Sequence, residues 1–340
     1  MQYQYRTTTI LGIAVLLGSL PITVKAQIPP QTNPGQPNSV ITVPTAPQPS
    51  ARELLSLGAQ KYNSGNYIGA IADLTEAIRL DPSSSEAYYN RGLARIRFGD
   101  KPGAIADYTE SISRDNNFAP AFVNRGTLYA GVGKYREAVE DYTQALALNP
   151  KDATTYFNRA IARSALDDRQ GAINDYTEAI AIRPDYATAY VNRGINRTQL
   201  GDYPKAIADF NDALRINPKL VLAYENRGVA RRLAGDLKGA TADYNQTLKL
   251  APNSSTAYYN RAMVRQQQGN QLAALEDYNR AIRINEGLAI AYSNRGLTRH
   301  AMGDREGAIE DLRTAARIFS EQGETVEYQK AVDMIRRVQQ

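Results

Sequence analysis

The 340-residue chain is 43% hydrophobic and 22% charged, a composition that suits a folded soluble array or two or three domains. Its formal charge of +5 is too small to demand nucleic acid, because basic and acidic residues alternate instead of forming a block. The absence of cysteine excludes disulfides, thiolate metal sites and thiol catalysis, and the single histidine, His300, leaves no His cluster for a metal or a His-paired nucleophile.

Residues 1–26 carry Arg6, an apolar run from Ile10 to Leu20, Pro21, and then Val24-Lys25-Ala26 ahead of Gln27. That order predicts a signal peptide cleaved after Ala26, giving an exported protein in the periplasm or secreted. The apolar run is short and broken by Pro21, so a bilayer span is disfavoured, and membrane contact is expected only if the segment stays uncleaved. Residues 27–50 contain no charge and are rich in Pro and Gln, which predicts a disordered linker. The linker ends at Ser50-Ala51-Arg52-Glu53, a capping-box pattern that starts a helix.

From Ala51 a 34-residue period runs without insertion through eight repeats: 51–84, 85–118, 119–152, 153–186, 187–220, 221–254, 255–288 and 289–322. In most repeats two helical patterns are split by a Gly-Asp or Gly-Asn turn, such as Gly99-Asp100 and Gly201-Asp202, and the second often ends before a proline such as Pro150 or Pro218. Position 20 of every repeat is Ala (Ala70, Ala104 and Ala138 onward), and position 8 is Gly or Ala. Small residues at both places allow two helices of a hairpin to approach closely. Aromatic or apolar residues at position 4, from Leu54 and Tyr88 to Tyr292, supply a core stripe. Residues 323–340 place Tyr328, Val332, Ile335 and Val338 on one helical face, which predicts a capping helix over the eighth repeat.

This pattern resembles the tetratricopeptide repeat (TPR) family, in its exported bacterial type. The resemblance implies an all-α, right-handed TPR superhelical solenoid with a C-terminal capping helix. It departs from the common family pattern in having Arg at position 7 in seven repeats and at position 11 in six.

The position-7 arginines are Arg91, Arg125, Arg159, Arg193, Arg227, Arg261 and Arg295, and position 23 is always Asp: Asp73, Asp107, Asp141, Asp175, Asp209, Asp243, Asp277 and Asp311. A charge at an interface needs a partner. The first repeat has Leu57 in place of Arg yet keeps Asp73, which favours pairing of each Asp with the Arg of the next repeat. Pairing within a repeat, or a column that binds phosphate or peptide carboxylates, is the alternative.

One residue before each Arg stands an Asn: Asn90, Asn124, Asn158, Asn192, Asn226, Asn260 and Asn294. The resemblance implies that the first helix of each hairpin lines a concave face with positions 2, 5, 6, 9, 12 and 13, and that Asn at position 6 can hold the backbone of an extended peptide. One amide offers both donor and acceptor to a peptide group. Tyr89, Phe157 and Tyr259 at position 5, beside Val123 and Val191, and apolar residues at position 9 such as Ile161 and Met263, would complete such a groove. The structural alternative is that the Asn column bonds neighbouring helices.

No phosphate loop, zinc-ligand spacing, nucleophile elbow or dinucleotide fingerprint is present. The expectation is therefore a non-catalytic scaffold without cofactor or metal, whose partner is a protein or extended peptide segment. The alternative is a structural or assembly protein acting through outer or terminal surfaces.

Overall fold

The computed structural model describes residues 48–340, so the expected signal peptide and nearly all of the linker lie outside the described residues. Seventeen α-helices and no strands occur among the described residues. The chain divides into two compact parts, one ending at Ile182 and the other Arg183–Gln340. The first holds four hairpins: α1 (Ala51–Asn63) with α2 (Tyr67–Leu80), α3 (Ser85–Phe98) with α4 (Lys101–Arg114), α5 (Ala119–Gly131) with α6 (Tyr135–Leu148), and α7 (Ala153–Ala165) with α8 (Arg169–Ile182). The second holds α9 (Ala187–Gln199) with α10 (Tyr203–Ile216), α11 (Val221–Leu233) with α12 (Leu237–Leu250), α13 (Ser255–Gln267) with α14 (Gln271–Ile284), α15 (Ala289–Ala301) with α16 (Arg305–Glu321), and a single final helix α17 (Thr325–Gln339). Each is an all-α repeat solenoid in which every hairpin packs on its sequence neighbour.

Local chemistry sets the hairpin turn. The glycine at position 15 takes the left-handed conformation, with Gly99 at φ 98° and Gly201 at φ 81°, and so reverses the chain after the first helix. The next residue caps the second helix: Asp100 Oδ1 accepts from the Gly103 amide at 2.9 Å, and Asp236 accepts from Gly239 at 2.8 Å. At the start of α1, Ser50 and Glu53 form the reciprocal capping box.

The close approach falls where the small residues predict it. Ala70, Ala104, Ala206, Ala240 and Ala308 are fully buried. A Cβ added at Gly92 would stand 2.6 Å from the Tyr108 ring. The ring at position 24 fills the space this opens, and Tyr108, Tyr142, Tyr176, Phe210, Tyr244 and Tyr278 are each at most 1% exposed.

The last helix packs as a cap, with a shifted face. Val338 packs with Ala308 and Leu312, and Ala331 packs with Ala315, Ile318 and Phe319. Val332 and Ile335 are partly buried against these clusters, but Tyr328 is 40% exposed. The buried stripe therefore runs through Ala331, whose small side chain lets α17 lie close to α16.

In the fourth hairpin the turn glycine is replaced by Asp167, the one non-glycine with positive φ (67°) among the described residues. A side chain with Cβ in this region is strained relative to glycine. Asp167→Gly should therefore raise the unfolding free energy by about 0.5–1 kcal/mol, read as a higher denaturant midpoint at unchanged slope. An unchanged or lower midpoint would show that the Asp167 contact with Arg169 outweighs the backbone term.

Candidate functional site

The arginine column is paired within each hairpin, not between hairpins. Arg125 forks onto Asp141, with Nη2 to Oδ1 at 2.7 Å and Nε to Oδ2 at 2.9 Å. The same fork joins Arg91 to Asp107, Arg159 to Asp175, Arg193 to Asp209, Arg227 to Asp243, Arg261 to Asp277 and Arg295 to Asp311, with shortest contacts of 2.6–2.7 Å. This corrects the expectation that each Asp pairs with the Arg of the next repeat. The physical reason is the antiparallel hairpin, which brings position 7 of the first helix beside position 23 of the second. The first repeat needs no arginine because Lys61, at position 11, reaches Asp73 at 2.6 Å.

The link to the preceding hairpin runs instead through a residue that sequence reasoning overlooked. Arg91 Nη1 donates to Thr75 Oγ1 at 3.2 Å, Arg125 to Thr109 at 3.1 Å and Arg159 to Thr143 at 3.1 Å. Arg227, Arg261 and Arg295 donate to Asn211, Asn245 and Asn279 in the same way, each at 2.6 Å. The threonine hydroxyl is held to accept because its own proton goes to a carbonyl one turn back, as in Thr75 to Ile71 at 2.7 Å. Under the guanidinium lies the position-4 ring, with Arg91 5.6 Å from the Tyr88 centroid and Arg295 5.3 Å from that of Tyr292. Three of the five N–H donors of each of these arginines thus point at protein, and their side chains are only 13–16% exposed, which leaves the column little reach toward a phosphate or carboxylate.

A second arginine, at position 11, completes most of the carboxylates. Arg95 reaches Asp107 at 2.9 Å and the Gly103 carbonyl at 3.0 Å; Arg231 reaches Asp243 at 2.8 Å. In the third hairpin this position is Tyr129, so Asp141 relies on Arg125. Burial pushes the Asp141 carboxyl above its usual range, and Arg125 opposes the shift by hydrogen bond and charge. Asp209 is also pushed up by burial, against Arg193 and Arg197.

The asparagine column divides by what precedes it. Asn124 Nδ2 donates to the Tyr89 hydroxyl of the preceding hairpin at 3.1 Å, and Asn294 donates to Tyr259 at 3.0 Å. Asn226 turns its amide onto the Leu222 carbonyl of its own helix at 2.8 Å. Asn192 lends its backbone carbonyl to Asn196 at 2.8 Å. Asn90, Asn158, Asn192 and Asn260 are half-buried, and among the described residues their side chains form no hydrogen bond to protein. Tyr89 and Phe157, expected on the groove surface, are each 3% exposed. Their rings turn inward onto the position-24 ring, Tyr89 5.7 Å from Tyr108 and Phe157 5.7 Å from Tyr176. Burial pushes the Tyr89 hydroxyl up to about 12, with the Asn124 amide opposing. Tyr259 remains half-buried and is the one of the three with an accessible edge.

Among the described residues no group of three His, Cys, Asp or Glu is placed to hold a metal, and no helix is long and apolar enough to cross a membrane. His300 is exposed.

Models of the tetratricopeptide repeat match residues 119–152, 85–118 and 153–186, and a TPR repeat model matches 58–97, 197–233 and 265–303. The chain belongs to the tetratricopeptide repeat family. Among solved structures, a tetratricopeptide repeat protein from Parabacteroides merdae is 23% identical, with a TM-score of 0.53 over 83% of this chain and 98% of that one. The C-terminal part of a TPR repeat-containing protein from Cytophaga hutchinsonii is 17% identical, with a TM-score of 0.58 over 70% of this chain and 97% of that one. The Cut9–Hcn1 hetero-tetramer of APC/C is 18% identical, with a TM-score of 0.56 over 84% of this chain and 55% of that one. At these identities the likeness is one of fold. A search of curated proteins gives no match.

The TPR hairpins differ in how many arginines hold the buried Asp, and this difference is measurable. Arg125→Ala leaves Asp141 buried without its guanidinium and should cost about 3–5 kcal/mol. Arg261→Ala should cost less, because Arg265 stays on Asp277 at 2.9 Å. The pH dependence follows from the direction of the Asp141 shift. Its folded pKa lies above the unfolded value, and losing Arg125 raises it further, so the folded variant binds more protons in that window. The stability of Arg125→Ala should therefore fall as pH rises through the window and recover on acidification. Equal losses for both variants, flat in pH, would contradict the pairing.

Proposed function

We propose that the chain is a non-catalytic scaffold that binds an extended peptide segment of a partner protein along the first helices of its hairpins. TPR proteins mediate protein and peptide binding, and the reading for this chain is supported chiefly by the free amides of Asn90, Asn158, Asn192 and Asn260. Each is half-buried at position 6, beside half-buried apolar residues such as Ile161 and Met263. A side-chain amide in such a place, unspent on protein, can accept from and donate to a peptide group. Asn124 and Asn294 differ, since a hydrogen of each is committed to a tyrosine.

The contrast gives the test. Peptides recovered from a display library of extended twelve-residue sequences are titrated against the wild-type chain and two variants. Replacing Asn90 and Asn158, which both stand in the first compact part, by Ala should weaken binding to that part by about 1–3 kcal/mol, or about 5- to 150-fold, with little change in melting. Replacing Asn124 and Asn294 should instead lower the melting midpoint. Unchanged affinity in the Asn90 and Asn158 double variant, or recovery of no peptide, would overturn the reading.

We also propose that the protein is exported, on the strength of the short apolar run and Val24-Lys25-Ala26. N-terminal sequencing of protein from its native host should begin at Gln27, whereas full-length protein in the membrane fraction would contradict export.

A further inference from the structure

In the first compact part the turns that join the two helices of each hairpin emerge on one edge, and the third of them breaks the local rule. Seven of the eight turns put Asp or Asn at position 16, where the side chain caps the second helix: Asn66 accepts from the Gly69 amide at 2.9 Å and Asp304 from that of Gly307 at 2.9 Å. The third turn has Lys134 there, and α6 starts with no side-chain cap. A cation at a helix N-terminus also opposes the helix dipole. The Lys134 ammonium stands 5.8 Å from the Tyr129 ring centre, a contact too weak at an exposed site to offset both losses. The fold gains nothing from this lysine, so its use lies outside the fold.

Its neighbours carry the same sign. Positions 13–18 of the first three hairpins hold Arg97, Lys101, Lys134 and Arg136, and the one carboxylate among them is Asp100. Asp100 is engaged, with Oδ1 on the Gly103 amide at 2.9 Å and Oδ2 3.6 Å from Arg95 Nε. None of the four cations joins an ion pair among the described residues. The Arg97 guanidinium stands 5.1 Å from the ring centre of Tyr67, so the first two turns meet. Each turn also exposes one large apolar side chain: Ile68 at 67%, Phe98 at 57% and Val132 at 53%. A Cβ added at Gly65, Gly99 or Gly133 would meet nothing within 4 Å, so the turns are bare tips without walls. In the second compact part the same positions hold Lys238 and Arg305 against Asp202, Asp236, Asp304 and Glu306. Leu200 and Met302 are exposed there too, but with no excess of cations beside them.

Shape and charge together choose the occupant. A protein partner would need a pocket for each of three separated side chains. A lipid surface admits isolated apolar side chains without one, and its phosphates lie at the depth where flanking cations stop. We propose that the turns of the first three hairpins dock on an anionic lipid surface, with Ile68, Phe98 and Val132 entering between the headgroups and Arg97, Lys101, Lys134 and Arg136 meeting the phosphates. The contact is peripheral. It needs neither an apolar span nor residues 1–26, and it is independent of the peptide-binding reading above.

The test sediments the chain, as processed in its native host, with two kinds of vesicle: phosphatidylcholine alone, and phosphatidylcholine with about one third phosphatidylglycerol. Wild type should bind the anionic vesicles about tenfold or more tightly than the neutral ones, and less tightly as salt is raised. Replacing Ile68, Phe98 and Val132 together by Ser should weaken this binding about tenfold or more, whereas Leu200→Ser with Met302→Ser should leave it within about twofold. All five side chains are exposed, so both variants should melt as wild type does. Lys134→Asn separates the lipid role from stability. It restores the cap and should raise the melting midpoint, yet it should lower affinity for anionic vesicles about fivefold. Equal binding to both vesicles, or to neither, overturns the proposal, and so does wild-type affinity in the serine triple variant or in Lys134→Asn. A chain that ignores vesicles but self-associates, with the serine triple variant monomeric, has this edge covered by a second copy and overturns it as well.

Discussion

The guanidinium at position 7 sits where three surfaces meet, and the arrangement of each compact part depends on it. Below lies the position-4 ring; to one side is the position-23 carboxylate of its own hairpin; to the other is a hydroxyl or amide of the hairpin before. Arg261 shows all three, with Tyr258 5.5 Å below, Asp277 at 2.7 Å and Asn245 at 2.6 Å. A planar fork with fixed donor directions can meet three such partners only in one mutual orientation of the helices. Burying the carboxylate is unfavourable by itself, so the pair contributes geometry more surely than net stability.

Two ends of the array fit this constraint. Among the described residues the first hairpin has no neighbour before it to reach, and there the arginine is Leu57, with Lys61 standing 2.6 Å from Asp73. In the eighth, position 25 is Arg313 in place of the Thr or Asn acceptor, and the following helix α17 brings no equivalent arginine. The acceptor is thus present where an arginine follows and absent where none does. The small residues at positions 8 and 20 serve the same end, since a wider separation of α3 and α4 would pull Arg91 off Asp107.

Much of the fold was legible because backbone chemistry repeats: Gly for the reversal, Asp or Asn for the cap, Ala for the contact. The pairing register was not. With a strict period, Asp73 to Arg91 and Arg91 to Asp107 are equally regular spacings, and periodicity alone cannot choose between them. Lys61 opposite Asp73 and the alternation of Thr75 with Asn211 at position 25 were the signals that could have decided it. The candidate groove was legible in part. Tyr89 and Phe157 read as groove surface because the family resemblance implies that position 5 faces it, yet each ring turns inward onto an aromatic ring at position 24.

Position 7 carries the link between neighbouring hairpins through position 25. A double-mutant cycle on Arg261 and Asn245, built with Arg261→Ala and Asn245→Ala and followed by denaturant unfolding, isolates that link from the pairing with Asp277. Because Asn245 is exposed, solvent weakens the bond, and the expected coupling is about 0.5–1.5 kcal/mol. Coupling within error of zero, with Arg261→Ala alone still destabilising, would show that the arginine secures only its own hairpin.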